Sequence, residues 1–267
     1  MTNLTLETVT VTTDDRGVAT LKLNRPEKHN AMNAALIAET HQAADALAAD
    51  DSVRVVVLTG ADCSSFCAGG DFNWFKSVAT ADRETRKQGG LELARMLLAL
   101  NSLPKPLIGR INGSAYGGGT GMISVCDYAI GVDSARFGLT EVRLGLIPAT
   151  ISPYVVARIG VPNARAVMLS GALFTAQRGA EIGLLNEVVA AEDLDARVNA
   201  VVADHLEAAP GAIAATKKLI DFVASHGTEQ NIEYTASALA DAWETDEGQT
   251  GITAFLGKTL PPWRTGK

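Results

Sequence analysis

Reactive side chains are scarce in this sequence. It has three cysteines, Cys63, Cys67 and Cys126, which offer no even framework for disulfides. Cys63 and Cys67 stand four apart with no histidine near them in sequence. Buried reduced thiols are expected there, and a metal site is not. The four histidines, His29, His41, His205 and His226, fall outside every motif described below, so histidine-based nucleophilic catalysis is not expected. Basic runs are missing and the formal net charge is −7, which offers no patch for a nucleic acid or an anionic membrane. No stretch of about 20 apolar residues occurs, so no membrane span is expected. The first residues, MTNLTLETVTVTT, lack a basic segment followed by an apolar run. They do not read as a signal peptide, and a soluble cytoplasmic protein is expected.

What is present is an ordinary globular mixture, with 47% apolar and 20% charged residues among 267. That length suits one large domain, or a domain with an appendage. TLETVTVTT and VATLKLN are β-branched and apolar, and the DDRG between them signals a hairpin turn. Residues 31–49 are Ala-rich with Met32, Leu36, Ala43 and Leu47 on roughly one side, an amphipathic helix that Asn30 or Asn33 could cap. VRVVVLTG (53–60) and KPLIGRING are continuous apolar runs closed by glycine, which suit strands buried on both faces. Residues 81–100 read as a helix with Leu93, Leu97 and Leu100 inward, and Thr175 caps a helix that Gly183 closes. Further helices are expected at about 192–208, 211–225 and 228–245. Strand–helix units followed by helices predict an α/β core with a helical C-terminal region. No Pro/Gly/Ser linker divides the halves.

Two loops combine glycines with the end of a buried strand: CAGGD (67–71) and YGGGT (116–120). Glycine lets a backbone approach a ligand closely. A helix starting at or just after Gly119 leaves free N–H groups in its first turn. One N–H from each loop could meet on a single oxygen, an oxyanion hole built from main chain. Each loop by itself is more readily an ordinary tight turn with close backbone packing. A dinucleotide-type glycine pattern fails at the second loop, because Met122 stands where its last glycine belongs.

LNRPEKHNAMN, VVVLTGADCSSFCAGGD, NGSAYGGGTGM, CDYAI and ARFGLTEVRLGLIP follow one another in order. With the helical tail, they make the chain resemble the enoyl-CoA hydratase/isomerase (crotonase) superfamily over its whole length. The resemblance implies a spiral of ββα units over 1–195, and over 196–267 a helical region that packs subunits into homotrimers, often paired as hexamers. It implies an acyl-CoA substrate whose thioester enolate is held by the N–H groups of Gly70 and Gly118. Each such donor is typically worth about 3–4 kcal/mol in the transition state. Coenzyme A, carried in by the substrate, would lie against Lys28, Ala31, Ala68 and Asp71. Tyr116 would pack on the acyl chain or fill core. No further cofactor and no metal are implied.

Hydratases of this family usually carry two glutamates. The sequence keeps one, Glu141, and has Gly121 where the other belongs. A lone carboxylate can take a proton from water as OH adds at Cβ and return one at Cα, or shuttle a proton between Cα and Cγ. Either route needs a dry pocket that raises its pKa. Hydration of a 2-enoyl-CoA is therefore expected, with Δ3–Δ2 isomerisation or a catalytically weak acyl-CoA-binding scaffold as alternatives. ATISPYVVARIG (149–160) replaces the glycine-rich stretch of common hydratases. It resembles a methylglutaconyl-CoA hydratase-like subgroup, whose substrates carry a distal carboxylate. Arg110, Arg143 and Arg158 are candidates to face that carboxylate. One relative of the subgroup binds RNA through a lysine-rich first helix. The helix here has neither lysine nor arginine, so no such partner is expected.

Overall fold

A computed structural model describes residues 1–264. Residues 265–267, the end of the expected C-terminal region, lie outside the described residues. Two compact units are present, Met1–Ala200 and the part from Val201 onward.

The first unit opens with β1 (Leu4–Thr5), β2 (Val9–Thr13) and β3 (Val18–Leu23), paired antiparallel. Asp14 closes the β2–β3 turn by accepting from Arg16 N at 2.9 Å and Val18 N at 3.0 Å. Asn33, not Asn30, caps α1 (Ala34–Ala49), accepting from Leu36 N at 2.9 Å. Asn30 is fully buried instead. Its amide donates to Ala61 O at 3.2 Å and Ser65 O at 3.1 Å, tying two loops together.

The chain then winds in a repeating order. β4 (Val55–Gly60) is followed by β5 (Ser65–Cys67), α2 (Phe72–Thr80) and α3 (Arg83–Asn101). β6 (Leu107–Ile111), β7 (Ser114–Tyr116) and α4 (Gly118–Ser124) form the next turn. β8 (Tyr128–Val132), β9 (Arg136–Gly138) and α5 (Ser152–Met168) form the third. β10 (Phe174–Thr175), α6 (Ala176–Glu181), β11 (Glu187–Val189) and α7 (Leu194–Leu206) follow, and α7 runs across the boundary between units. Each turn gives its first strand to a seven-stranded sheet ordered β1-β2-β3-β4-β6-β8-β11. Its second strand goes to a four-stranded sheet ordered β10-β9-β7-β5. Within the repeat both sheets are parallel. This is the expected ββα spiral.

Every residue of β4 is buried, as a continuous apolar run between two covered faces requires. Leu58 of β4, Phe66 of β5, Phe137 of β9 and Leu97 and Leu100 of α3 are among the largest fully buried side chains. Each contributes about 1.5–3 kcal/mol by leaving water. Lys105 is also buried. Its ammonium donates to the Leu47, Ala48 and Asp50 carbonyls, the orphan acceptors at the end of α1.

The second unit holds α8 (Pro210–Ser225), α9 (Thr228–Glu244) and α10 (Asp246–Leu256). The first two match the expected helices, while α10 lies beyond them. Glu247 of α10 accepts from Gly211 N at 3.0 Å and Ala212 N at 3.1 Å, satisfying the first turn of α8. Phe222 stacks on both His226 and Tyr234, at ring separations of 3.8 and 3.7 Å. No helix among the described residues is long and apolar enough to cross a membrane.

Candidate active site

The CAGGD loop is held by three backbone bonds. Ala68 N donates to His29 O at 3.0 Å, Met32 N to Gly69 O at 2.7 Å, and Asp71 N to Met32 O at 2.7 Å. This pattern skips Gly70, whose N–H has no acceptor among the described residues. In the second loop Gly117 N donates to Gly138 O at 2.9 Å. Gly121 N donates to Gly117 O at 3.1 Å and so starts the bonding of α4. Gly118 is the first residue of α4, and its N–H also has no acceptor among the described residues. Both loops line one cavity of about 370 Å³.

The three consecutive glycines answer to three different neighbours. Gly117 takes φ 51° and ψ −118°, a conformation that a side chain disfavours. A Cβ on Gly118 would lie 2.7 Å from Met32 Sδ, and one on Gly119 only 2.6 Å from the Cys67 carbonyl oxygen. Burial pushes the Cys67 thiol up to about 12, so this cysteine is an inert packing group beside the loop.

Glu141 opens a 3₁₀ turn, Glu141–Leu144, and its carboxylate reaches into the same cavity. A Cβ on Gly117 would lie 2.9 Å from its Oε1. Its Oε2 is buried and has no hydrogen-bond partner among the described residues. Burial raises the Glu141 pKa above the ordinary carboxylate value, against a smaller lowering by the hydrogen bond from its own backbone N–H. Among the described residues, Glu141 is the only charged one lining the cavity. Most of the remaining wall is apolar, built from Leu93, Trp74, Phe75, Leu144, Ile147 and Ile151.

The structure therefore gathers Gly70, Gly118, Glu141, Ala68 and Tyr116 around one space. Lys28, Ala31 and Asp71 do not line it. Lys28 is exposed on a 3₁₀ turn, Pro26–Lys28. Asp71 caps α2 by accepting from Asn73 N at 2.8 Å and Trp74 N at 3.2 Å. It also pairs with Arg25 at 3.0 Å, and the same guanidinium donates to the Ala31 carbonyl. Arg25 is thus the clamp between the first loop and the Ala31 segment.

None of the three arginines considered for a distal carboxylate lines the cavity. Arg110 pairs with Asp195 at 2.6 Å. Arg143 donates to Ser170 O at 3.2 Å. Arg158 donates to Cys126 O at 2.9 Å and Asn186 Oδ1 at 2.6 Å. Nearness in sequence to the motifs did not carry these side chains to the site. Met32, Trp74, Phe75 and Ile151, all lining residues, were not expected there.

Residues 13–266 match the family model described as enoyl-CoA hydratase/isomerase. The chain belongs to that family. It is 30% identical over 246 residues to a crotonyl-CoA hydratase of Syntrophomonas wolfei, covering 90% of this chain and 92% of that one. The crystal structure of an enoyl-CoA hydratase from Shewanella pealeana superposes with a TM-score of 0.93 at 34% identity, covering 97% of this chain and 96% of that one. Pseudomonas aeruginosa AtuE superposes with the same TM-score, 0.93, at 35% identity, covering 97% and 100%. The ββα spiral is thus the crotonase fold, and the chain is an enzyme of the enoyl-CoA hydratase type.

Proposed function

We propose that the chain hydrates a 2-enoyl-CoA whose acyl tail is uncharged, using Glu141 as the one proton carrier. A single observation carries this reading. Glu141, whose Oε2 is buried and unpartnered among the described residues, lines the same cavity as Gly70 and Gly118, whose N–H groups have no acceptor among the described residues. In the reaction Glu141 takes a proton from water as the hydroxyl adds to Cβ. The π electrons move to the thioester oxygen, and the two N–H groups hold that charge. The protonated carboxyl then returns a proton to Cα as the carbonyl reforms. Coenzyme A enters as part of the substrate, and no other cofactor is needed. The Ala68 carbonyl, which accepts no bond among the described residues, is available to it.

The uncharged tail follows from the wall. A distal carboxylate would enter a cavity lined mostly by apolar groups and by one acid, with no cation among the described residues to offset its desolvation. The methylglutaconyl-type reading therefore predicts a different result from a panel of enoyl-CoA thioesters. Loss of the conjugated thioester and product mass would be followed with and without a distal carboxylate. Crotonyl-CoA and longer neutral substrates should give the higher kcat/KM. A preference for the carboxylated substrate would overturn the uncharged-tail reading.

Isomerisation remains the second reading, because Gly121 supplies no acid and the wall beside it is apolar. Here Glu141 would remove a Cα proton from a 3-enoyl-CoA and return it at Cγ, with the electrons passing through the same held enolate.

We further propose a homotrimer, or a dimer of trimers, formed through the helices of the second unit. Ile232, Leu239, Trp243, Phe255 and Leu256 are all exposed there, more large apolar surface than a monomer usually leaves in water. Light scattering should give three or six times the chain mass, and a monomer would remove this proposal.

A further inference from the structure

Gly121 is buried on α4, and the first residue before α5, Ile151, is packed against it. A Cβ on residue 121 would lie 2.5 Å from Ile151 Cγ2 and 2.9 Å from Ile151 Cβ. Real Cβ atoms do not approach so closely. The second distance matters more than the first. Rotating χ1 moves Cγ2, but Cβ is fixed by the backbone, and a β-branched side chain has few rotamers to offer. Ile151 is 3% exposed, its carbonyl already accepts from Val155 N at 3.1 Å, and it lines the cavity that holds Glu141. The two positions share one volume, and in this chain residue 151 has it.

From this packing we infer that Ile151 fills the space a residue-121 side chain would occupy, and so sets the partition between hydration and isomerisation. The inference rests on the proposed enoyl-CoA chemistry and goes one step beyond it. A bound water needs two to four polar partners to be held well. With apolar carbon on this wall, a water beside Glu141 has fewer partners than it would beside a second polar group. A proton shuttle between Cα and Cγ needs no water and does not suffer from the dry wall. Ile151 therefore raises the share of isomerisation that accompanies the proposed hydration. Trimming it admits solvent and shifts the balance back, without touching the proton carrier or the N–H donors.

The experiment has two independent arms. In the first, purified wild type and Ile151→Ala are given matched 3-enoyl-CoA and 2-enoyl-CoA thioesters, and the initial rates of double-bond migration and of water addition are compared. The ratio of hydration to isomerisation should rise at least about threefold in the variant, the size of effect expected when one buried water gains a partner. A purely structural loss would lower both rates together, and an unchanged ratio overturns the inference. The second arm reads packing by denaturation midpoint and needs no turnover. Gly121→Ala should lower the midpoint of the wild-type sequence, and lower it less, or raise it, in an Ile151→Gly background. Equal losses in both backgrounds would show that the two residues do not share a volume. A wild type that turns over neither substrate class overturns the enoyl-CoA reading and the partition with it, while the midpoints still decide the packing.

Discussion

Replacing Glu141 by Gln lowers enoyl-CoA turnover by about 10²–10⁴-fold, the usual contribution of a positioned general acid–base group. Binding of an unreactive acyl-CoA should survive, because glutamine keeps the size of the side chain and the two glycine N–H groups are untouched. The effect belongs in kcat rather than KM, since proton transfer is made only in the transition state. Steady-state kinetics together with calorimetric binding separate the two. Unchanged turnover would remove Glu141 from the chemistry and leave the cavity without a proton carrier, because no other charged residue among those described lines it.

The same residue predicts two pH dependences. Its folded pKa is raised above the ordinary 4.5 by burial. As a base it must be ionised, so kcat/KM falls on the acid side with an apparent pKa above 4.5, and that limb disappears in Glu141→Gln. For stability the sign is the reverse of a salt-bridged carboxylate. Above 4.5 the unfolded chain releases this proton more readily than the folded one. Folding stability is therefore lost as pH rises from the unfolded toward the folded value. Glu141→Gln is accordingly more stable than wild type at neutral pH, and the advantage fades once the pH drops below 4.5. Under the proposed role, that lost stability is the cost of keeping an ionised carboxylate in the cavity.

The parts of this site legible in the sequence are those written in local chemistry. Glycine closes β4 and opens α4 because each position faces a backbone or sulfur neighbour that leaves no room for a Cβ, and that demand shows directly as residue type. Continuous apolar runs gave β4 and β6, and capping residues gave α1 and α6. Other parts depend on contacts between distant segments. β5 is three residues long and sits inside what reads as a loop. α2 has no fully buried residue to mark it as core, with Phe72 82% exposed and its ring contact to the site made by Phe75. Arg158 lies close to the motifs in sequence, yet its acceptors come from Cys126 and Asn186. Gly121 could be read as a missing acid, but its occupant, Ile151, lies thirty positions on. Only the packing of α4 on the start of α5 pairs them.

Gly117→Ala is expected to impair folding and chemistry at once, for reasons that can be separated. The backbone at 117 has φ 51° and ψ −118°, and forcing an L side chain into such a region costs about 1–3 kcal/mol. That part appears as a lower denaturation midpoint. The added methyl would also lie 2.9 Å from Glu141 Oε1, so the carboxylate must move. A displacement on the order of 1 Å in a reacting group can reduce turnover about 10²-fold. Gly117 donates to Gly138 O and accepts from Gly121 N, so strain here also tilts the first turn of α4 and with it the Gly118 N–H. The double variant Gly117→Ala/Glu141→Gln isolates the chemical part. If the methyl acts by moving Glu141, adding it to Glu141→Gln costs little further turnover while the loss in stability persists. If turnover instead falls by the same factor in both backgrounds, the damage runs through the Gly118 N–H, and the carboxylate position is not what residue 117 protects.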